Sequence, residues 1–268
     1  MRQFRIRTIA MLGKLHAGVM LAFLYLPILV VVAFSFNQSK RNIVFTGFTF
    51  EWYGKLFQNT RLLDALGNTL VVALASTVIS VVVGTLGAIG LHRYKFRGKS
   101  AVEALMYIPV VIPEIILGIS LLALFTIGHL PLGLLTLIIA HATFCIPFVV
   151  FTVKARLSGF DASVEEAAMD LGATRLKTFW EVTLPALMPG VVSGAMLSLT
   201  LSLDDVIISF FTTGPDSTTL PIQIFSMVRS GVSPDVNALS TLILLGTIGL
   251  VVLVQGRELR HHKGVAGK

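Results

Sequence analysis

Charge is what this chain has least of. Asp, Glu, Lys and Arg make up 13% of its 268 residues, against roughly 25% in a soluble domain, so no water-facing shell can cover the 54% that are hydrophobic. Cysteine occurs once, at Cys145, which excludes an internal disulfide and reads as plain core on an apolar segment. No Gly-x-x-x-x-Gly-Lys-Ser/Thr run is present to cradle phosphates, no His/Cys spacing suits zinc, and no Ser/His/Asp constellation is found. The chain therefore does not hydrolyse ATP itself, and no metal or cofactor of its own is expected. Its net charge of +7 raises the question of nucleic acid, which the placement of the charges answers.

What is present is apolar length. A helix needs about 20 residues to cross a hydrocarbon core, and six segments qualify, near Ala17–Phe36, Thr69–Leu91, Ala104–Phe125, Leu132–Val153, Pro189–Phe211 and Ala238–Gln255. The first follows several basic residues, yet its apolar run is too long for a signal peptide and no small-residue cleavage site stands out, so it is expected to remain as a span. Basic residues decide orientation. The N-terminus holds Arg2, Arg5, Arg7 and Lys14, the 92–103 loop Arg93, Lys95, Arg97 and Lys99, the 154–188 loop Lys154, Arg156, Arg175 and Lys177, and the C-terminus Arg257, Arg260, Lys263 and Lys268. The other side has only Lys40, Arg41, Lys55, Arg61 and Arg229. Both termini and the 154–188 loop are thus expected in the cytoplasm, and the positive charge is a topological signal.

That loop has internal design. Ser163 with Glu166 has the spacing of a capping box, and Val164, Ala167, Ala168 and Leu171 recur at a helical period. Gly172 stands where a left-handed residue ends a helix. Thr174 is placed to cap a second helix with a stripe of Leu176, Phe179, Trp180 and Thr183, and Pro185 and Pro189 mark the return to the membrane. A helix, a glycine turn and a second helix follow, either lying on the membrane surface or docking a partner.

The spacing Glu166-Ala167-Ala168, Gly172, Val182-Thr183-Leu184-Pro185 resembles the "EAA" signature of permease subunits of type I ATP-binding-cassette importers, with Val182 where isoleucine is usual. Further stretches are similar to the spermidine/putrescine permeases of that class: Ser35-Phe36-Asn37, Trp52-Tyr53, Arg93-Tyr94-Lys95-Phe96-Arg97-Gly98, His141-Ala142-Thr143-Phe144-Cys145, Leu201-Ser202-Leu203-Asp204-Asp205, Thr213-Gly214-Pro215, Leu220-Pro221, and Gly231-Val232-Ser233-Pro234 through Asn237-Ala238-Leu239. The resemblance implies an all-α polytopic fold with six transmembrane helices in a bacterial inner membrane. Residues 67–255 would form the permease core with coupling loop 154–188, preceded by an N-terminal span and external segment over 1–66 and followed by a basic tail over 256–268. It implies ATPase coupling through Glu166, Ala167, Ala168, Gly172, Leu184 and Pro185, with ATP held by a separate cytoplasmic ATPase dimer. Its other implied partners are a second homologous permease, giving a heterodimer, and an extracytoplasmic polyamine-binding protein.

Glu114, Asp204 and Asp205 fall inside expected spans, where a charge near the bilayer centre costs at least about 2.5–3.5 kcal/mol. At 1.5 Å per residue, Glu114 lies roughly 15 Å in from the cytoplasmic end of the third span and Asp204 about 22 Å along the fifth. No lysine or arginine lies within a span to pair with them. Either they are protonated or paired with a base on another subunit, or they face a substrate pathway and meet a cation. A polyamine suits separated carboxylates and apolar walls. Pro109 and Pro113 are expected to interrupt the third span. Adjacent aspartates lie about 100° apart on a regular helix, so one of Asp204 and Asp205 packs or the helix breaks there.

Gly190, Gly194, Ser198 and Ser202 form a small-residue seam for a core or subunit interface. His141 reads either as a proton relay or as a histidine hydrogen-bonded to a carbonyl. The segment 48–59, with Trp52, Tyr53, Leu56 and Phe57, reads as an interfacial helix. Rival functions are a permease for another solute, a proton-coupled transporter, which has no need of a docking loop, and an intramembrane hydrolase, for which adjacent aspartates lack the facing geometry.

Overall fold

The computed structural model describes residues 2–39, 44–230 and 234–265, with side chains over 11–39, 44–228 and 234–249. Lys40, Arg41, Gly231, Val232, Ser233 and Lys268 lie outside the described residues, as do the side chains of Arg2, Arg5, Arg7, Arg229, Arg257, Arg260 and Lys263. In chain order the helices are α1 (Arg2–Phe34), α2 (Glu51–Leu56), α3 (Thr60–Arg93), α4 (Lys99–Val111), α5 (Glu114–Ile127), α6 (Leu134–Ser158), α7 (Ser163–Asp170), α8 (Arg175–Thr178), a π turn (Phe179–Thr183), α9 (Leu184–Leu203), α10 (Ile207–Thr212), α11 (Leu220–Ser230) and α12 (Pro234–Val265). The described residues are mostly helical, and extended pairing among them is limited to one antiparallel bridge, Asn37 with Phe48.

Two compact units are present, Met1–Leu63 with Ser226–Lys268, and Asp64–Phe225. In the first, α1 and α2 both pack on α12. The Trp52 indole N–H donates to the Asn37 carbonyl (2.6 Å), and the Asn37 side chain closes its own loop by donating to the Val44 carbonyl and accepting from Thr46 N–H. Trp52 and Leu56 are therefore buried. The expected interfacial helix is a packed element whose Phe57 is exposed but whose tryptophan is an internal anchor, because indole N–H seeks a partner when its ring is enclosed.

In the second unit, α6 and α9 form the main packing pair. Val149, Val150, Val153 and Leu157 of α6 meet Leu187 and Val191 of α9 and Ala88 and Leu91 of α3. The seam Gly190, Gly194, Ser198 and Ser202 is buried throughout. A Cβ on Gly194 would stand 3.1 Å from Val149 Cα, so the seam serves close approach of α9 to α6 within the chain. Such contact replaces the hydrophobic drive that lipid cannot supply between helices.

Four helical stretches among the described residues are long and apolar enough to cross a membrane: Met11–Phe34, Thr60–Arg93, Leu134–Ser158 and Arg175–Leu203. Two expected spans are not single helices. The third is a pair, Lys99–Val111 and Glu114–Ile127, bent by 112°. Pro113 has no N–H to continue the ladder, and it biases Ile112 to the extended conformation seen there (ψ 137°). The fifth starts earlier, at Arg175, and stops at Asp204 before α10 resumes it. Residues 238–255 lie in α12, whose side chains beyond 249 are outside the description.

Candidate functional site: a helical hairpin and an acid centre at two helix breaks

The hairpin begins with a capping arrangement other than Ser163 with Glu166. Ser163 is already helical, and Asp161 Oδ1 accepts its backbone N–H at 2.9 Å. Asp161 lies just upstream, where a short acceptor reaches the first free amide, and this bond holds its carboxyl below the usual aspartate range. At the other end Gly172 has φ +92°. Gly172 N–H donates to Met169 O and Ala173 N–H to Ala168 O, the paired bonds of a Schellman ending. Thr174 caps α8 by accepting from Lys177 N–H.

The return to the membrane is continuous. From α8 the chain widens into the π turn, with Leu184 N–H reaching Phe179 O, and then runs into α9. Pro185 has no N–H and its ring crowds the carbonyl four residues back, so a wide turn there relieves the clash. The second arm of the hairpin and α9 thus form one 29-residue helical stretch, Arg175–Leu203.

Glu166 and Ala167 are exposed, Ala168 half-buried and Gly172 exposed, with Leu184 and Pro185 at the start of α9. The acid turned inward is Glu165, which pairs with Arg93 at the end of α3 and accepts from the Thr183 hydroxyl. Sequence reasoning passed over it; the signal was that neighbouring Glu165 and Glu166 must point about 100° apart. Outward stand Val164, Met169, Leu171, Leu176 and Trp180, with Leu171 90% exposed.

The acid centre lies at the two helix breaks. Glu114 opens α5 with a half-buried side chain. Asp204 ends α9 and is exposed, whereas Asp205, in the break, is 8% exposed. Helices α5 and α10 pack together, closely enough that a Cβ on Gly118 would stand 2.7 Å from a Phe211 ring carbon. The same Cβ would stand 3.5 Å from the Ile207 carbonyl, so the contact joins the turn after Glu114 to the residues just after the two aspartates. Asp205 is committed inside the protein: Oδ1 accepts Ile208 N–H (3.2 Å), Oδ2 accepts Ser209 N–H (2.7 Å), and His141 Nε2 is 3.5 Å away. It caps α10, so of the two aspartates it is Asp205 that packs, and the helix breaks there as well. His141 bonds two serine hydroxyls, Ser202 at 2.7 Å and Ser209 at 2.9 Å, in place of a carbonyl.

Residues 80–256 match the family described as binding-protein-dependent transport system inner membrane component. The chain belongs to this family. As a member it is a transport permease of the inner membrane and not an enzyme. It is 44% identical over 237 residues to the spermidine/putrescine transport system permease protein PotC of Haemophilus influenzae, covering 88% of this chain and 92% of that one. Identity to PotC of Escherichia coli is 43% over 249 residues, 91% and 94% of the two chains, and to the E. coli putrescine transport system permease protein PotI 44% over 236 residues, 85% and 84%. The fold matches a bacterial ABC transporter involved in import of the acidic polysaccharide alginate, with TM-score 0.69 and 16% identity over 94% of this permease and 96% of that chain. It also matches the MetNI methionine ABC transporter, with TM-score 0.56 and 22% identity over 79% and 98%.

Proposed function

We propose that this permease is the membrane subunit of an ATP-driven, binding-protein-dependent importer of polyamines, with both termini cytoplasmic and six spans, α12 being the sixth. A second homologous permease completes the pathway as a heterodimer. Residues 67–255 serve as its core, 1–66 as a peripheral span and external segment, and 256–268 as a basic tail. A cytoplasmic ATPase dimer binds ATP, and a polyamine-binding protein delivers the cargo from outside.

The observation that carries the substrate class is the placement of Glu114 and Asp204 at two helix breaks whose following helices, α5 and α10, pack together, in a membrane region whose apolar helices hold no lysine or arginine near them. A cation stripped of water needs such carboxylates, and broken helices add carbonyls, among them that of Pro109, whose helical partner would be Pro113. The permeases named for spermidine and putrescine share 43–44% of this sequence across most of its length, which supports the same assignment.

Coupling follows from shape. The hairpin offers Val164, Leu171, Leu176 and Trp180 outward with Glu166 beside them, an apolar surface with an anion at the helix start that suits a protein groove. Arg175–Leu203 spans 29 residues, about 43 Å at 1.5 Å each, and joins that surface directly to Asp204. Movement of the hairpin on ATPase closure is delivered along α9 to the acid centre. Reconstitution of the permease pair, ATPase and binding protein in liposomes tests the reading: polyamines should stimulate ATP hydrolysis and enter, whereas amino acids and metal ions should not. Stimulation by one of those solutes instead would assign a different cargo, and uptake driven by a proton gradient without ATP would end the proposal.

A further inference from the structure

His141 is buried at 2% exposure on α6, and both ring nitrogens are engaged across the α9–α10 break. Nδ1 meets Ser202 on the last turn of α9, and Nε2 meets Ser209 on α10, whose N–H is bound by Asp205. The Ser202 hydroxyl also reaches Ser76 on α3 at 3.2 Å. Three helices therefore meet at one imidazole, and α3 is tied in through Ser202. A helix break leaves rotational slack, and a modest turn of the segment would exchange which of two adjacent aspartates faces outward. Asp204 makes no side-chain hydrogen bond among the described residues, so nothing at Asp204 itself sets its direction. The clamp at Asp205, Ser202 and Ser209 does. Polar groups this deeply enclosed cost free energy unless each is paired, and the pairing here is satisfied in one orientation of the break.

We propose that His141 is a positioning residue: by tying Ser202 to Ser209 it fixes the α9–α10 break with Asp205 locked inside and Asp204 presented beside Glu114. The consequence for uptake rests on the polyamine reading; the orientation itself does not. In the assembled transporter in membrane vesicles, with Cys145→Ala as background because Cys145 is buried, Asp204→Cys and Asp205→Cys are labelled with a small cationic thiosulfonate. Position 204 is exposed and position 205 is enclosed, and a thiol reacts according to its access, so Asp204→Cys should label at least about tenfold faster. Added His141→Ala should erase the difference, and His141→Gln, which can still donate and accept, should restore it. Comparable rates with His141 intact, or a ratio unmoved by His141→Ala, overturn the proposal. Should Asp205→Cys fail to insert, the labelling rate at Asp204→Cys under His141→Ala against His141→Gln decides: a clear change supports the clamp and equal rates overturn it. In uptake, His141→Ala should raise KM with the inserted amount unchanged, and His141→Gln should return it toward the parent value. If Glu114→Gln and Asp204→Asn leave uptake intact, the polyamine reading fails while the labelling ratio still judges His141.

Discussion

At the α7–α8 hairpin apolar side chains face out and an acid is tucked in: Leu171 is 90% exposed while Glu165 pairs with Arg93 and Thr183. At the helix breaks the arrangement serves a different occupant, with Asp205 and His141 enclosed, Glu114 half-buried and Asp204 bare. Both regions keep one acid for the protein and leave its neighbour free, Glu165 against Glu166 and Asp205 against Asp204. At the hairpin the two acids divide because neighbouring residues of α7 point about 100° apart, and at the breaks because the helix has ended and Asp205 turns inward to cap α10. One stabilises the element from within, and the other is available to a partner, which under the proposed function is a protein at the hairpin and a cation at the breaks.

The largest expected effects separate the two regions. Glu114→Gln or Asp204→Asn removes a carboxylate whose hydrogen bonds to a cation contribute about 1.5–3 kcal/mol, so uptake should fall about ten- to hundredfold with the ATPase still co-purifying. Glu166→Lys reverses the charge on the docking surface and should abolish uptake by losing the ATPase while the protein remains inserted. A stoichiometric ATPase on Glu166→Lys, or normal uptake kinetics in both acid variants, would break the division of labour.

Two glycines sharpen the comparison at lower cost. A Cβ on Gly214 would overlap the Leu132 backbone carbonyl, so Gly214→Ala should cost about 3 kcal/mol, the upper range of overpacking, read as reduced thermal stability in detergent. Gly172 has open space around a Cβ but φ +92°, and Gly172→Ala should cost only the left-handed strain of about 1–2 kcal/mol. Equal losses would mean that the hairpin turn is packed in the assembled transporter.

The turn at Gly172, the cap at Thr174 and the interruption before Glu114 were all legible, because each depends on residues within one or two turns; the second stripe was not, since the π turn sends Thr183 inward while Leu176 and Trp180 face out. Pro113 forces its break by covalent structure, and Gly172 alone tolerates its φ. What could not be read were pairings between distant segments. Glu165 finds Arg93 and Thr183, and His141 finds Ser202 and Ser209, only once α3, α6 and α9 are stacked. Trp52 likewise changes from an interfacial residue to a buried anchor because of the Asn37 carbonyl. The polar spacing Ser202, Asp205, Ser209 on an otherwise apolar stretch was a signal in plain view, but the small-residue seam explained Ser202 well enough to hide it. Asp161 displaced Ser163 as cap for a local reason: the helix starts one residue earlier than the Ser163–Glu166 spacing requires.

That cap supplies the smallest expected effect. The Asp161 carboxyl sits below its usual range because it accepts the Ser163 backbone N–H. A carboxylate with a depressed folded pKa stabilises fully above its unfolded pKa and loses that contribution as pH falls through the folded value. Protection of α7 amides against hydrogen exchange, corrected for intrinsic rates, should therefore hold at neutral pH and decline only at acidity below the ordinary aspartate range. Asp161→Asn keeps an acceptor without the charge, so its α7 protection should be slightly lower at neutral pH and flat on acidification. Because Asp161 is exposed, solvent screens the charge and the change should be smaller than that of Gly172→Ala. If the wild type and Asp161→Asn decline together, the bond from Ser163 N–H to Asp161 is not the source of the acid sensitivity.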